Sequence, residues 1–217
     1  MTNVVLYGGT GLATMLRETI GFVGDKIIAI IDDTPNLLPP YPNAPVFYGW
    51  QSFKDSILYK DRESYGFMIA IGNPGKGKKP MLFSKLEGEG LKPYTVIHST
   101  SFVADDSIIG EGSFIDAGAI LMARSVIGKS CIIGPNSNIS HDSTLGDFVD
   151  TTVGVTVCGN TTIGNNVLLG GGSVVLPRLK IGDNVIVGAG SVVTKDIPND
   201  TIVIGVPARK YVKKNDC

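Results

Sequence analysis

An aliphatic residue returns at every sixth position from Ile97 to Val193, without one insertion. The series reads Ile97, Val103, Ile109, Ile115, Leu121, Ile127, Ile133, Ile139, Leu145, Thr151, Val157, Ile163, Leu169, Val175, Ile181, Val187 and Val193, and only Thr151 breaks it. Glycine often follows the aliphatic residue, as at Gly110, Gly128, Gly134, Gly146 and Gly164, and the position two before it is small at Ser101, Ser113, Ala119, Cys131 and Ser143. A period of six is neither the 3.6 of a helix nor the 2 of a lone strand. Sustained over this length it specifies a solenoid in which each unit makes one short face and one turn, with the aliphatic side chain inward. If three faces close a coil, eighteen residues make one turn, and coils stack about 4.8 Å apart by strand hydrogen bonding.

The residues before the ladder follow a different pattern. Asn3 to Tyr7 is a short apolar run, Gly8-Gly9-Thr10-Gly11 breaks it, and Leu12 to Ile20 is helix-like. A strand, a glycine turn and a helix in succession leave the helix N-terminal N–H groups open to a phosphate, although the same turn can simply connect the two elements. Lys26 to Ile31 reads as a second strand ending in Asp32-Asp33, where an acidic side chain is placed to hold a ribose hydroxyl pair. Thr34 to Pro45 holds five prolines and reads as a loop, Gln51 to Leu58 as a short helix, and Phe67 to Ile71 as a third strand. Gly72-Asn73-Pro74 then turns into a lysine-rich helix near Lys76 to Lys79, and Tyr94 to Ile97 is a last strand leading into the ladder. The expected organisation is a small α/β domain of about four strands over 1–95, followed by the solenoid and a C-terminal cap over 96–217. An α/β unit of that length has room for one nucleotide rather than a dinucleotide.

Composition narrows the function. A net charge of −1 supplies no basic field for nucleic acid or an anionic membrane. No apolar run approaches the roughly 18 to 20 residues that span a bilayer, and no secretory leader is evident, so a cytoplasmic protein is expected. Cys131, Cys158 and Cys217 fit neither a disulfide framework nor a zinc pattern. Of the two histidines, His98 at the domain junction reads as structural, whereas His141 lies two positions past an inward aliphatic and is followed by Asp142. That register turns His141 outward, and a carboxylate on one ring nitrogen suits the other to act as general base. Cys158 occupies a glycine column of the repeat and reads as structure rather than as an acyl carrier.

The hexapeptide ladder resembles that of the hexapeptide-repeat acyltransferases, and the resemblance implies a left-handed parallel β-helix. The tandem order is similar to a narrower group: the bacterial N-acetyltransferases of nucleotide-linked 4-amino sugars and the sialic acid O-acetyltransferases. The resemblance rests on the Gly8 to Gly11 turn, Asp32-Asp33, His141-Asp142, the run Val153 to Gly164, and Gly205 to Arg209. The fold it implies is an α/β N-terminal Rossmann-like half domain followed by an all-β left-handed parallel β-helix. It implies His141 as catalytic base tuned by Asp142, and a nucleotide-sugar site at Gly11, Leu12, Ala13, Asp32, Asp33 and Gly72. It further implies coenzyme A contacts near Asp150, Gly171 and Ala189, in a groove between subunits of a homotrimer.

The expected activity is N-acetylation of a nucleotide-diphosphate-linked amino sugar by acetyl-CoA, without an acyl-enzyme. The alternative is O-acetylation of sialic acid or a related sugar. No metal is expected, since two histidines fall short of the three that build the zinc site of a prism-shaped carbonic anhydrase. A scaffold that merely uses the prism as a rigid support would bind no acetyl-CoA.

Overall fold

The computed structural model describes residues 1–38, 43–72 and 78–212. Its first unit is a parallel sheet built from β1 (Asn3–Tyr7), β2 (Lys26–Asp32), β3 (Val46–Tyr48), β4 (Gly66–Ile69) and β5 (Lys92–Pro93), in the order β3-β2-β1-β4-β5. β1 is central, and the chain winds outward from it in both directions. Buried apolar side chains on both faces, such as Val4, Leu6 and Ile30 on one and Val5, Phe67 and Ile69 on the other, explain why these strands read as continuous hydrophobic runs. The helices α1 (Gly11–Phe22), α2 (Trp50–Lys54) and α3 (Lys78–Gly88) cover the sheet, with a 3-10 stretch over Ile57–Ser64.

Three expectations change here. The sheet has five strands rather than about four, because the three-residue β3 is too short to show a period of its own; of the proline-rich stretch expected before it as a loop, residues 39–42 lie outside the described residues. Tyr94 to Ile97 is not one strand: Lys92–Pro93 pairs with β4, while Val96–Ile97 pairs with Phe114–Ile115 in the solenoid. The helix expected over Gln51 to Leu58 stops at Lys54 and gives way to the 3-10 stretch. Asn73, Pro74 and Lys76 lie outside the described residues, and α3 begins at Lys78.

From Val96 the chain winds as a parallel β-helix of three faces. Face 1 carries Val96–Ile97, Phe114–Ile115, Ile132–Ile133, Asp150–Thr151, Leu168–Leu169, Ile186–Val187 and Ile202–Ile204, closed by the antiparallel pair Arg209–Lys210. Face 2 runs from Phe102–Val103 to Val192–Val193, and face 3 from Ile108–Ile109 to Lys180–Ile181. Up to Ile186–Val187 each strand pairs with the one eighteen residues on, as Leu121 with Ile139 and Ile139 with Val157, and the last step, Val187 to Val203, is sixteen.

The ladder residues fill the interior, from Ile115, Leu121 and Ile127 to Val187 and Val193, all at most 3 % exposed. Full burial of each such side chain stabilises by about 1.5 to 3 kcal/mol. Thr151, the odd member, keeps its hydroxyl satisfied by accepting from the Gly134 amide at 2.9 Å and donating to Ser137 Oγ at 3.2 Å. From Gly112 to Gly190 the coils turn their corners through residues in the left-handed region, each stacked on its equivalents eighteen residues away. Arg124, Asp142, Asn160 and Arg178, with φ between 57° and 63°, form the column between faces 2 and 3.

The α/β unit packs on face 1 and on the corner between faces 3 and 1. Phe83 of α3 meets Phe148 edge-on with centroids 5.8 Å apart. Phe114 and Ile132 join the apolar cluster under α1. Between them lies a buried ion pair: Lys79 Nζ stands 2.5 Å from Asp150 Oδ1, the two side chains 2 % and 4 % exposed.

Candidate active site

The first group of expected residues converges at the C-terminal ends of β1, β2 and β4. Gly8 donates to Ile31 O at 2.7 Å, and the Ala70 amide donates to Tyr7 O at 2.7 Å, which ties the three strand ends together. Gly8 has φ of 110°, and a Cβ there would stand 2.5 Å from Ala70 O, so only glycine fits. Gly11, Leu12 and Ala13 form the first turn of α1, whose leading N–H groups precede the first helical bond, Thr14 N to Thr10 O. Gly72 is exposed, just past β4.

The acidic pair divides its work. Asp32 is 8 % exposed, and its carboxylate accepts from the Gly9 amide at 2.7 Å and the Thr34 amide at 2.8 Å. Burial works to raise its pKa, but these amide bonds outweigh it and hold the carboxyl below its ordinary value. Asp32 thus braces the glycine turn from within. Asp33 is the outward member, 51 % exposed, accepting from Tyr7 Oη at 3.0 Å and facing Lys78 Nζ at 3.7 Å. Burial, reinforced by the bond to Asp33, pushes the Tyr7 hydroxyl up to about 12.

His141 stands on the corner between faces 2 and 3, 53 % exposed. Its Nδ1 lies 2.8 Å from Asp142 Oδ2, and among the described residues Nε2 has no hydrogen-bond partner. Asp142 is also gripped from the previous coil, by Arg124 Nε at 2.6 Å and Nη2 at 2.9 Å. These bonds, Arg124 first and His141 second, hold the Asp142 carboxyl well below the usual carboxylate range. An ionised carboxylate only accepts, so Nδ1 carries the proton and Nε2 is left with the lone pair that a general base needs. From the following coil Gly159 lies against the ring; a Cβ there would meet Nε2 at 2.7 Å. His98, by contrast, bonds Thr100 Oγ1 at 2.9 Å and packs edge-on against Phe22, a structural arrangement.

Arg124 and Gly159 are absent from the expected set. The signal for both was the coil length, since Arg124 is eighteen residues before Asp142 and Gly159 eighteen after His141.

Gly171 and Ala189 stack in one column on the corner between faces 1 and 2, where the Gly190 amide bonds Gly171 O at 2.8 Å. Asp150 lies on face 1, leading toward that corner, but its buried carboxylate is held by Lys79. It cannot reach a ligand without breaking that pair. Within one chain, then, the three groups stay apart. The glycine-turn crevice sits with the α/β unit on face 1, the Gly171 column on the corner between faces 1 and 2, and His141 on the corner between faces 2 and 3.

The pattern of the family described as bacterial transferase hexapeptide (six repeats) matches residues 106–147 and 160–195. PerB from Caulobacter crescentus, solved in complex with CoA and GDP-perosamine, is 30% identical, with 98% of each chain covered and a TM-score of 0.85. A variant of perosamine N-acetyltransferase from the same organism, with a histidine replaced by asparagine and also holding CoA and GDP-perosamine, is 28% identical, again over 98% of both chains, with a TM-score of 0.90. The acetyltransferase domain of PglB from Neisseria gonorrhoeae FA1090, in complex with acetyl coenzyme A, is 26% identical over 96% of this chain and 98% of that one, with a TM-score of 0.83.

Proposed function

We propose that this chain, which belongs to the hexapeptide-repeat nucleotide-sugar acetyltransferases, moves an acetyl group from acetyl-CoA to the amino group of a nucleotide-diphosphate-linked amino sugar. The observation that carries the reading is the His141 corner, where Asp142 fixes Nδ1 and leaves Nε2 for a substrate. The sugar amine attacks the thioester carbonyl and the C–N bond forms while Nε2 accepts the amine proton; the C–S bond then breaks and the proton passes to the departing thiolate of coenzyme A. A backbone N–H stabilises the oxyanion, and no side chain of the protein is acylated.

Residues 1–95 serve as the Rossmann-like half domain that holds the nucleotide. The amides of Gly11, Leu12 and Ala13 face its phosphates, Gly72 lets the backbone come close, and Asp33 rather than Asp32 offers the exposed carboxylate at the rim. The solenoid that starts at Val96 winds left-handedly, and coenzyme A lies along the corner of Gly171 and Ala189. Asp150 acts there by anchoring face 1 to α3 through Lys79.

Separation of the three groups around one prism supports a homotrimer. A face of six residues spans at most about 20 Å, and only a neighbouring copy can bring a second corner against the first. Three equivalent head-to-tail contacts close such a ring.

The test is product mass spectrometry with acetyl-CoA and a panel of nucleotide amino sugars, beginning with GDP-perosamine because PerB from Caulobacter crescentus was solved with it. An added mass of one acetyl group is expected, and His141→Ala should lower turnover at least about a hundredfold. O-acetylation of a free sugar needs no nucleotide site. Absence of any thermal shift with UDP, GDP or dTDP, together with acetylation of a free sialic acid, would overturn the N-acetyl reading.

A further inference from the structure

We infer that Arg124 is a positioning residue for the base: from one coil back, it fixes the carboxylate that fixes the imidazole of His141. The inference rests on His141 being the base and adds the residue that makes its partner rigid.

His141 and Asp142 are sequence neighbours on an exposed corner, and a single bond between adjacent side chains there leaves the carboxylate free to rotate about Cβ–Cγ. Arg124 removes that freedom. Its Nε takes Oδ1 at 2.6 Å and its Nη2 takes Oδ2 at 2.9 Å, the fork geometry that brackets both oxygens at once. Oδ2, shared with Arg124, is the oxygen that faces His141 Nδ1 at 2.8 Å. The backbone amide of Arg124 donates to Asp106 Oδ1 at 3.0 Å in the same corner column, a bond that does not involve the guanidinium. The charged groups meeting here are therefore Asp106, Arg124, Asp142 and His141, on three successive coils.

Two consequences follow for the imidazole. A guanidinium on Asp142 keeps the carboxylate ionised, so it remains an acceptor and holds the proton of the neutral ring on Nδ1. The fork also sets the plane in which Nδ1 must lie, and with it the direction of the Nε2 lone pair. A neutral imidazole left to itself favours the opposite tautomer, with the proton on Nε2, in which the base is blocked. The alternative role for Arg124 is a plain staple between coils. At 63 % exposure an ion pair of that kind contributes little to stability.

The experiment is nitrogen-15 NMR of the His141 ring at a pH where it is neutral, assigned by comparison with His98→Asn. The wild type is expected to show the Nδ1–H form, and Arg124→Ala to shift the population to Nε2–H with the fold unchanged by circular dichroism. Asp106→Ala loosens the same corner without touching the fork and should leave the tautomer alone. In parallel, Arg124→Ala should lower kcat by about tenfold or more with KM changed less than about twofold. Retention of Nδ1–H in Arg124→Ala, or its loss in Asp106→Ala as well, would overturn the inference. Because the tautomer is read without substrate, its result stands apart from whether the protein acetylates a nucleotide sugar.

Discussion

Gly159 lies one coil beyond His141 with its Cα under the imidazole, so close that a Cβ would stand 2.7 Å from Nε2. The backbone at Gly159 is not in the left-handed region, so nothing but the ring demands a glycine there. Gly159→Ala should therefore be neutral or slightly stabilising by about 0.4 to 1 kcal/mol through the unfolded chain, while tilting the imidazole away from its productive direction. A fall in kcat of about tenfold or more with an unchanged melting temperature is expected; steady-state kinetics beside a thermal melt checks it.

Lys79 and Asp150 form the one ionic contact between α3 and face 1 among the ion pairs of the described residues, and both are nearly sealed from water. Removing Asp150 leaves the buried Lys79 ammonium without its carboxylate. Asp150→Ala should cost about 3 to 5 kcal/mol, whereas the double variant Lys79→Met with Asp150→Leu should recover most of it. Denaturant unfolding of the three proteins measures both numbers, and a single variant as stable as the wild type would contradict the pairing.

Glu89 gathers Lys54, Tyr59 and Trp50 around one carboxylate, and these bonds, Lys54 first, lower its pKa from 4.5 to about 2. A carboxyl depressed on folding adds stability that is complete above its unfolded pKa and fades as pH falls through the folded one. Stability should thus decline between about pH 4.5 and pH 2 partly through this residue. Glu89→Gln should flatten that limb of the curve, which melts collected across the range will reveal.

At Gly8 a left-handed φ of 110° coincides with a carbonyl 2.5 Å from where a Cβ would stand. Gly8→Ala is expected to cost at least about 1 to 3 kcal/mol in backbone strain alone and to distort the turn ahead of α1. Loss of the thermal shift given by a nucleoside diphosphate, with coenzyme A binding retained, is the expected outcome in a paired titration.

The prism was legible in the sequence because one position in six points into a dry interior, which an aliphatic residue fills and which a polar one such as Thr151 enters only with its hydroxyl bonded. Coil length was legible too, yet Arg124 and Gly159 do not stand out in the sequence: His141 and Asp142 are neighbours along the chain, whereas these two lie one coil before and one coil after. Asp32 shows another limit. Its place at the end of β2 could be read from the run before it, but whether its oxygens face a ligand or the amides of Gly9 and Thr34 depends on the path of the glycine turn. β3 could not be read at all, since Val46–Tyr48 gains its strand character only by pairing with Ile30, Ile31 and Asp32. Nor could residue types tell that Asp150 would be enclosed by a lysine from the other unit, seventy-one positions earlier.

The register of eighteen makes this prism a ruler with fixed graduations. Removing or adding a whole coil would shift everything beyond it by about 4.8 Å along the axis while keeping each corner residue on its corner. A single-residue insertion would instead rotate a corner side chain onto a flat face and turn inward aliphatics outward. The spacing between the His141 corner and the C-terminal cap can therefore change only in steps, never gradually.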